Sequence, residues 1–146
     1  MIYDKDSILT GSIDNPELHQ KIIDALPIPI FYRDLNCVYL LCNKAHEKFT
    51  GRDKTDIIGK SVYEVHSQET AELYFQRDQE LLHNPGEQIY EARMKRQDGS
   101  ACHVMLNKAV IRNNENEIVG IVGSIHDITE LKKTEKRLEK AQESME

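Results

Sequence analysis

The spacing of apolar residues changes several times along the chain, and each change predicts a new element. Residues 1–15 have no sustained period, which indicates a flexible arm. Apolar positions then recur at helical spacing and predict a helix over residues 16–26, with Asn15 as its N-cap and Pro27 as its stop. The apolar stripe of this helix consists of Leu18, Ile22, Ile23 and Leu26.

Two short extended runs follow, over residues 28–33 and 37–42. They are rich in β-branched and aromatic residues and are separated by the turn sequence Asp34-Leu35-Asn36, which predicts a hairpin. Short helical segments come next, and each is too short to be stable without tertiary packing. These segments cover residues 44–49, 53–58 and 62–65.

The second half of the chain begins with the longest helix of the interior, predicted over residues 68–83 and ended by Pro85 and Gly86. Three more strands follow, connected by turns rich in Asn, Asp and Gly. These strands cover residues 88–95, 100–111 and 117–126. The order of two strands, a helical block and three strands predicts an α+β fold with an antiparallel sheet, because hairpin-length links do not allow parallel pairing.

The last segment, residues 128–146, has the composition of a helix and repeats an apolar residue at every seventh position. The repeat consists of Leu131, Leu138 and Met145, with Thr134 and Ala141 three residues after the first two. Such a helix is not stable in isolation, so we expect it to pair with a second chain or to continue into more protein. The alternative is that it packs on its own domain.

The composition is that of one soluble globular domain. The 146 residues are 39% hydrophobic and 30% charged, which argues against both disorder and a membrane protein. The formal net charge of −6 has the wrong sign for a domain that binds nucleic acid through phosphates. An export signal and an apolar run of membrane-spanning length are both absent from the sequence, which favours the cytoplasm.

The cysteines, histidines and other reactive residues of the sequence do not form a catalytic or metal-binding motif. Cys37, Cys42 and Cys102 have neither disulfide nor metal-ligand spacing, which favours reduced thiols. The histidines share no helical face, so a metal site is not expected. The sequence also lacks a P-loop and a nucleophile motif, and we expect no enzymatic activity from this chain.

Five segments occur in an order and spacing that resemble a PAS domain, the sensory domain of bacterial and archaeal signalling proteins. They are LPIPIFYRD (26–34), YLLCNKAHEKFTG (39–51), DIIGKSVYEV (56–65), YEARMKRQDGS (90–100) and IVGIVGSIHDITELKKTEKRLE (118–139). The resemblance extends over about residues 16–140. The last segment is the most specific, because a final strand that runs through Asp-Ile-Thr into a charged helix is the usual exit of this family to an output module.

The resemblance implies a five-stranded antiparallel sheet with a helical block between strands 2 and 3 and a helix at each end. It divides the chain into an arm (1–15), a flanking helix (16–26), a PAS core (27–127) and a coiled-coil-like signalling helix (128–146). Relatives of this kind enclose a small cavity for haem, flavin or metabolites, and they often dimerise. They serve as input domains of histidine kinases, diguanylate cyclases or transcription regulators.

The cofactors of the family can be compared with the residues present. Covalent flavin and cinnamoyl-type photochemistry need a cysteine between residues 43 and 101, and this interval has none. Haem needs an axial histidine on the long helix, where residues 70–82 have none, and His66 is the histidine nearest to its start. Haem and covalent flavin are therefore disfavoured, and the identity of any ligand stays open.

Polar and aromatic residues in otherwise apolar segments are the candidates for ligand contact. They are Tyr63, His66, Tyr74, Asp78, Arg93, Asn107 and Ser124. The alternative is that the tyrosines are core residues and Arg93 pairs with a surface acid. Gly120 and Gly123 in the final strand leave room for a ligand or permit sheet twist.

The sequence as a whole favours a dimeric sensory domain that relays cavity occupancy to a downstream output module. Asp127, Ile128 and Thr129 form the expected joint, with Asp127 capping the last helix. The expected dimer contacts are Leu18, Ile22, Ile23, Leu26, Leu131, Leu138 and Met145. The competing interpretation is a ligand-free dimerisation or protein-interaction module whose cavity is filled by its own side chains.

Overall fold

A computed structural model describes residues 15–145, so the arm predicted over residues 1–15 lies outside the described residues except for Asn15. Helices α1 to α5 cover Pro16–Asp24, Lys44–Thr50, Val62–Val65, Gln68–His83 and Thr129–Met145, and a 3₁₀ turn covers Lys54–Asp56. Strands β1 to β5 cover Ile30–Asp34, Tyr39–Cys42, Glu87–Lys95, Ala101–Arg112 and Ile118–Asp127. The predicted α+β class is confirmed, with a helical block between strands 2 and 3 and a helix at each end.

The five strands form one antiparallel sheet in the order β2-β1-β5-β4-β3. Because β5 lies between β1 and β4, it connects the β1–β2 hairpin to strands β4 and β3. Side chains alternate between the two faces of each strand. On β4 the inward positions are Cys102, Val104, Leu106 and Lys108, all of them buried.

Helix α4 covers the inner face of the sheet. Its buried residues recur at three- and four-residue spacing and form one stripe, as expected for a helix that packs on a sheet. They are Ala71, Tyr74, Asp78 and Leu81. Ser67 caps the helix by accepting a hydrogen bond from the Thr70 amide at 3.3 Å. The predicted bounds of this helix agree with the structure.

Local chemistry explains where the N-terminal elements differ from their predicted bounds. The first strand begins at Ile30 and not at residue 28, because Pro27 and Pro29 have no amide hydrogen for a sheet ladder. The second begins at Tyr39, since Cys37 has a positive φ of 60° that interrupts extended backbone.

Gly120 and Gly123 allow β5 to approach β1 closely. A Cβ at Gly120 would lie 2.5 Å from the carbonyl oxygen of Arg33, and one at Gly123 would collide with the Phe31 ring. Close packing of β5 on β1 therefore explains both glycines.

Helix α5 leaves the sheet directly after β5. The Lys132 amide donates to the Ile128 carbonyl at 2.9 Å, which closes the first turn. Lys132 Nζ also contacts Glu91 Oε1 on β3 at 2.9 Å. Among residues 15–145, no helix is both long enough and apolar enough to cross a bilayer.

Candidate ligand-binding core and cationic groove

A charged cluster lies at the centre of the domain, between α4 and the inner face of the sheet. Arg33 on β1 donates from Nε and Nη2 to the two carboxylate oxygens of Asp78, both at 3.0 Å. Lys108 on β4 donates from Nζ to Asp78 Oδ1 at 2.9 Å. These three side chains are at most 2% exposed. Two strands and one helix thus meet at a single carboxylate.

The electrostatics of the cluster follow from burial and from the surplus of cations. Burial alone raises the pKa of Asp78, but Arg33 and Lys108 outweigh it and hold that pKa below its usual range. Burial and the nearby Arg33 lower the pKa of Lys108 to about 8, although Asp78 opposes this shift. Near neutral pH the cluster therefore carries about one positive charge in excess.

Aromatic rings surround the two cations. The Arg33 guanidinium lies 4.4 Å from the centroid of the Phe31 ring, and Lys108 Nζ lies 5.0 Å from that of Tyr90. The Cys37 thiol donates to Asp78 Oδ2 at 3.3 Å. Burial, reinforced by Asp78, raises the pKa of this thiol to about 12, so the group is protonated and unreactive at neutral pH.

Two histidines extend the core toward the surface. The Tyr39 hydroxyl and His66 Nε2 share a hydrogen bond of 2.7 Å, and His66 meets the Tyr74 ring edge-on at 5.0 Å. Burial, together with nearby arginines, lowers the pKa of His66 and of His46 to about 4, so both rings are neutral at pH 7. His46 Nδ1 is buried and has no hydrogen-bond partner among the described residues.

The core is almost filled by these side chains. The space left between Arg33, Tyr39, Tyr74 and Lys108 has a volume of about 20 Å³, enough for about one water molecule. A haem or flavin ring system does not fit this space unless the side chains move.

A groove of about 530 Å³ runs beside this core, between the end of β3 and helices α2 to α4. Its size is in the range of small-molecule sites. Tyr39, His46, His66 and Tyr74 line both spaces. The groove and the space in the core therefore share a wall.

The structure brings three of the predicted ligand contacts together. His66 and Tyr74 line the core, and Asp78 is the carboxylate of the charged cluster. Arg93 lies at the rim of the groove. Tyr63 does not reach either space: it is 48% exposed and packs against Phe75 on the outer side of the helices.

Asn107 and Ser124 lie on the opposite face of the sheet from the core. They are register partners on β4 and β5 and line a shallow outer pocket with Ile30 and Val122. The prediction that these two residues face the concave side of the sheet is wrong. Side chains alternate along a strand, and Lys108, the neighbour of Asn107, is the residue that points inward. Asn107 and Ser124 do not belong to the core site.

Sequence reasoning missed Arg33, Lys108 and His46. A signal existed for Lys108, because it follows Val104 and Leu106 at the two-residue period of the buried face. Arg33 has the same relation to the buried Phe31 on β1. A charged residue at an inward strand position indicates a buried partner, here Asp78.

The predicted joint between β5 and α5 is held by a polar network. Asp127 Oδ1 accepts hydrogen bonds from the amide of Thr129 at 3.1 Å and from its hydroxyl at 2.6 Å. Arg96, near the end of the β3–β4 hairpin, donates to Asp127 Oδ2 at 2.9 Å and to Thr129 Oγ1 at 3.1 Å. The amide of His103 also donates to Thr129 Oγ1, at 3.0 Å. Two neighbouring strands thus fix the start of α5.

The predicted dimer contacts lie mainly at the surface of this single chain. Ile22 and Leu26 are exposed, as are Leu131, Leu138 and Met145, the last of them at 88%. Leu18 and Ile23 are half-buried. Within residues 15–145, no group of three or more His, Cys, Asp or Glu side chains is arranged to hold a metal ion.

Comparisons with known proteins agree with this architecture. The chain is 26% identical over 122 residues to the aerobic respiration control sensor protein ArcB of Escherichia coli (strain K12), a match that covers 84% of this chain and 16% of ArcB. The chain therefore corresponds to about a sixth of the length of that curated relative.

Two solved PAS domains have the same fold. The PAS domain of Bordetella pertussis BvgS is 25% identical, with a TM-score of 0.67, and the match covers 90% of this chain and 98% of that one. A PAS domain from Colwellia psychrerythraea is also 25% identical, with a TM-score of 0.65 over 78% of this chain and 97% of that one. The family model described as PAS fold matches residues 17–128. The chain belongs to the PAS family.

Proposed function

We propose that this PAS domain is the sensory input domain of a longer cytoplasmic signalling protein, whose output is a histidine kinase, a diguanylate cyclase or a transcription regulator. The names of the relatives support a sensory role, since ArcB is a control sensor protein. The signal leaves the domain through α5, which follows the sheet without a linker.

The observation that carries this proposal is the Arg96 bridge to Asp127 and Thr129. It links the end of the β3–β4 hairpin to the first residue of α5, so movement of one must be accommodated by the other. A ligand can shift such a joint from one arrangement to another only if it binds one of the two more tightly. Asp127, Ile128 and Thr129 are the residues whose conformation differs between the two arrangements.

Dimerisation supplies the second half of the relay. Leu131, Leu138 and Met145 form an exposed stripe at heptad spacing on α5, which is the pattern of a two-stranded coiled coil. The exposed stripe of α1, with Ile22 and Leu26, is a further contact between protomers. A change at the joint then becomes a change in the angle or register of paired helices.

A second candidate function is a ligand-free interaction module. The specific observation in its favour is the filled core, where Arg33, Tyr39, Tyr74 and Lys108 leave about 20 Å³. In that case the domain serves only to dimerise and to hold α5. The groove beside the core supports the ligand-binding alternative because it has room for a small molecule.

Sedimentation velocity tests the dimeric relay. The double variant Leu131→Asp with Leu138→Asp places two charges in the stripe, and we expect it to sediment as a monomer while the parent chain sediments as a dimer. A matched control, Lys136→Gln with Lys140→Gln, lowers the charge of α5 by the same amount away from the stripe and stays dimeric. Equal masses for the parent chain and the stripe variant would remove the stripe from the proposal.

A further inference from the structure

The groove beside the core is cationic although the chain as a whole is acidic. Its charged residues are Arg52, Arg96 and, from the edge strand, Arg93 and Lys95, whose side chains flank the inward Met94 and belong to the outer face of β3. No acidic residue lines the groove within the part of the chain that the structure describes. The formal net charge of the chain is −6. The local field therefore has the opposite sign to the overall charge, as in a cleft that attracts an anion.

The interior wall of the groove is apolar and aromatic. Ile57, Val65, Tyr74 and Met94 contribute to it. Together with the arginines at the rim, this wall suits an amphipathic small molecule, whose body packs on the wall and whose charged head meets the cations.

An unsatisfied polar atom lies at the inner end of the groove. His46 is 6% exposed and lines both the groove and the core, and its Nδ1 has no protein partner among the described residues. A buried nitrogen without a partner costs free energy unless a ligand or a water molecule satisfies it. This observation is independent of the charged rim and indicates the same place.

We infer that the groove binds a small organic acid, with its carboxylate between Arg52 and Arg96 and its apolar body against Tyr74 and Met94. Guanidinium groups present the fork of donors that a carboxylate accepts. This inference rests on the proposed sensory function and names the chemical class of its ligand.

Arg96 connects the groove to the joint. Arg96 lines the groove, and its guanidinium donates to Asp127 and Thr129 at the start of α5. A carboxylate bound in the groove competes with Asp127 for this guanidinium. The ligand therefore binds more tightly to the arrangement of the joint in which the Arg96–Asp127 contact is broken. Ligand binding shifts the joint toward that arrangement and weakens the contact that holds α5.

Competition of this kind is reciprocal. If the ligand weakens the Arg96–Asp127 contact, then removal of the Asp127 charge must strengthen ligand binding. A groove that merely attracts anions gains similar affinity from the loss of any nearby negative charge. Asp98 lies near Arg96 but hydrogen-bonds Ser100 instead, so a comparison of Asp127→Asn with Asp98→Asn separates coupling from simple attraction.

The test is an NMR titration of the whole chain with sodium benzoate at constant ionic strength, followed on the backbone amides of Lys95 and Thr129. Benzyl alcohol is the neutral probe of the same shape, and inorganic phosphate is the anion without an apolar body. We expect saturable shifts at both amides with benzoate, and binding at least about tenfold weaker for each of the other probes.

Variants locate the site and test the coupling. Arg52→Gln weakens benzoate binding about tenfold, whereas the equally charged control Lys60→Gln changes it less than about twofold. Asp127→Asn strengthens binding about fivefold, and the matched control Asp98→Asn strengthens it less than about twofold.

Three results would overturn the inference: benzyl alcohol or phosphate binding as tightly as benzoate, equal affinities in the groove variant and its control, or equal gains from Asp127→Asn and Asp98→Asn. None of them bears on the dimeric relay through α5, which is tested by sedimentation of the stripe variants. The two proposals can therefore fail separately.

Discussion

Arg33 and Asp78 are 45 residues apart in the sequence and form a two-pronged ion pair inside the core, with both N–O distances at 3.0 Å. Lys108 contacts the same carboxylate. The pair joins β1 to α4, and Lys108 adds β4. A single carboxylate thus lies between two buried cations and offsets part of their mutual repulsion.

The variant Asp78→Asn tests this arrangement. Loss of the carboxylate leaves Arg33 and Lys108 buried without a counter-charge, and we expect a loss of about 3–5 kcal/mol in the free energy of unfolding, measured by urea denaturation. The control is Glu80→Gln on the same helix, which breaks an exposed pair with Arg77 (3.6 Å) and costs less than about 1 kcal/mol. Similar costs for the two variants would show that the cluster is not electrostatically coupled.

The depressed pKa of Lys108 predicts a particular dependence of stability on pH. Burial and Arg33 lower this pKa from its usual 10.5 to about 8, so the unfolded chain holds the proton more tightly than the folded one. Between these two values the unfolded state binds more protons, and the contribution of Lys108 to stability rises with pH.

The comparison is made with Lys108→Met, because the other titrating groups are common to both proteins. We expect the parent chain to gain up to about 1 kcal/mol per pH unit relative to the variant between about pH 8 and 10. The measurement is a series of urea denaturation curves over this range. Parallel stability curves would mean that Lys108 keeps an ordinary pKa in the folded state.

Gly120 provides a test of sheet packing. A Cβ at this position would lie 2.5 Å from the Arg33 carbonyl oxygen, a backbone atom that cannot move without shifting β1. We expect Gly120→Ala to lower the melting temperature, with a loss of about 1–3 kcal/mol. Gly86→Ala is the control, since nothing lies within 4 Å of its added Cβ, and it should be neutral or slightly stabilising. Equal melting temperatures would refute the close approach.

Much of the fold could be predicted from the pattern of residues. Helix α4 begins and ends where its sequence signals indicate, with Ser67 as its cap and Pro85 after its end. The sheet was predictable from alternation and turn chemistry. The errors lie at strand ends, where Cys37 in a left-handed conformation and two prolines decide the pairing.

The candidate site was less predictable, because it depends on long-range pairing. His66, Tyr74 and Asp78 share one wall and were found from helical segments alone. Arg33 and Lys108 come from strands whose inward face was readable, but their common partner is fixed only by the packing of α4 on the sheet. Asn107 was assigned to the wrong face of β4, because neighbouring residues of a strand point to opposite faces and an error of one residue exchanges them.

Arg96 ties the sheet to the start of α5, and amide hydrogen exchange at the first turn of that helix measures this connection. In Arg96→Gln the bonds to Asp127 and Thr129 are lost, and we expect the Lys132 amide, which closes the first turn, to exchange about tenfold faster than in the parent chain.

The control is Arg112→Gln, which removes an exposed arginine that contacts only the Asn116 carbonyl among the described residues. The Leu106 amide in the interior strand β4 reports whether the rest of the fold is intact. We expect faster exchange at Lys132 in Arg96→Gln alone, with Leu106 unchanged. Equal exchange of Lys132 in Arg96→Gln and in the parent chain would contradict it.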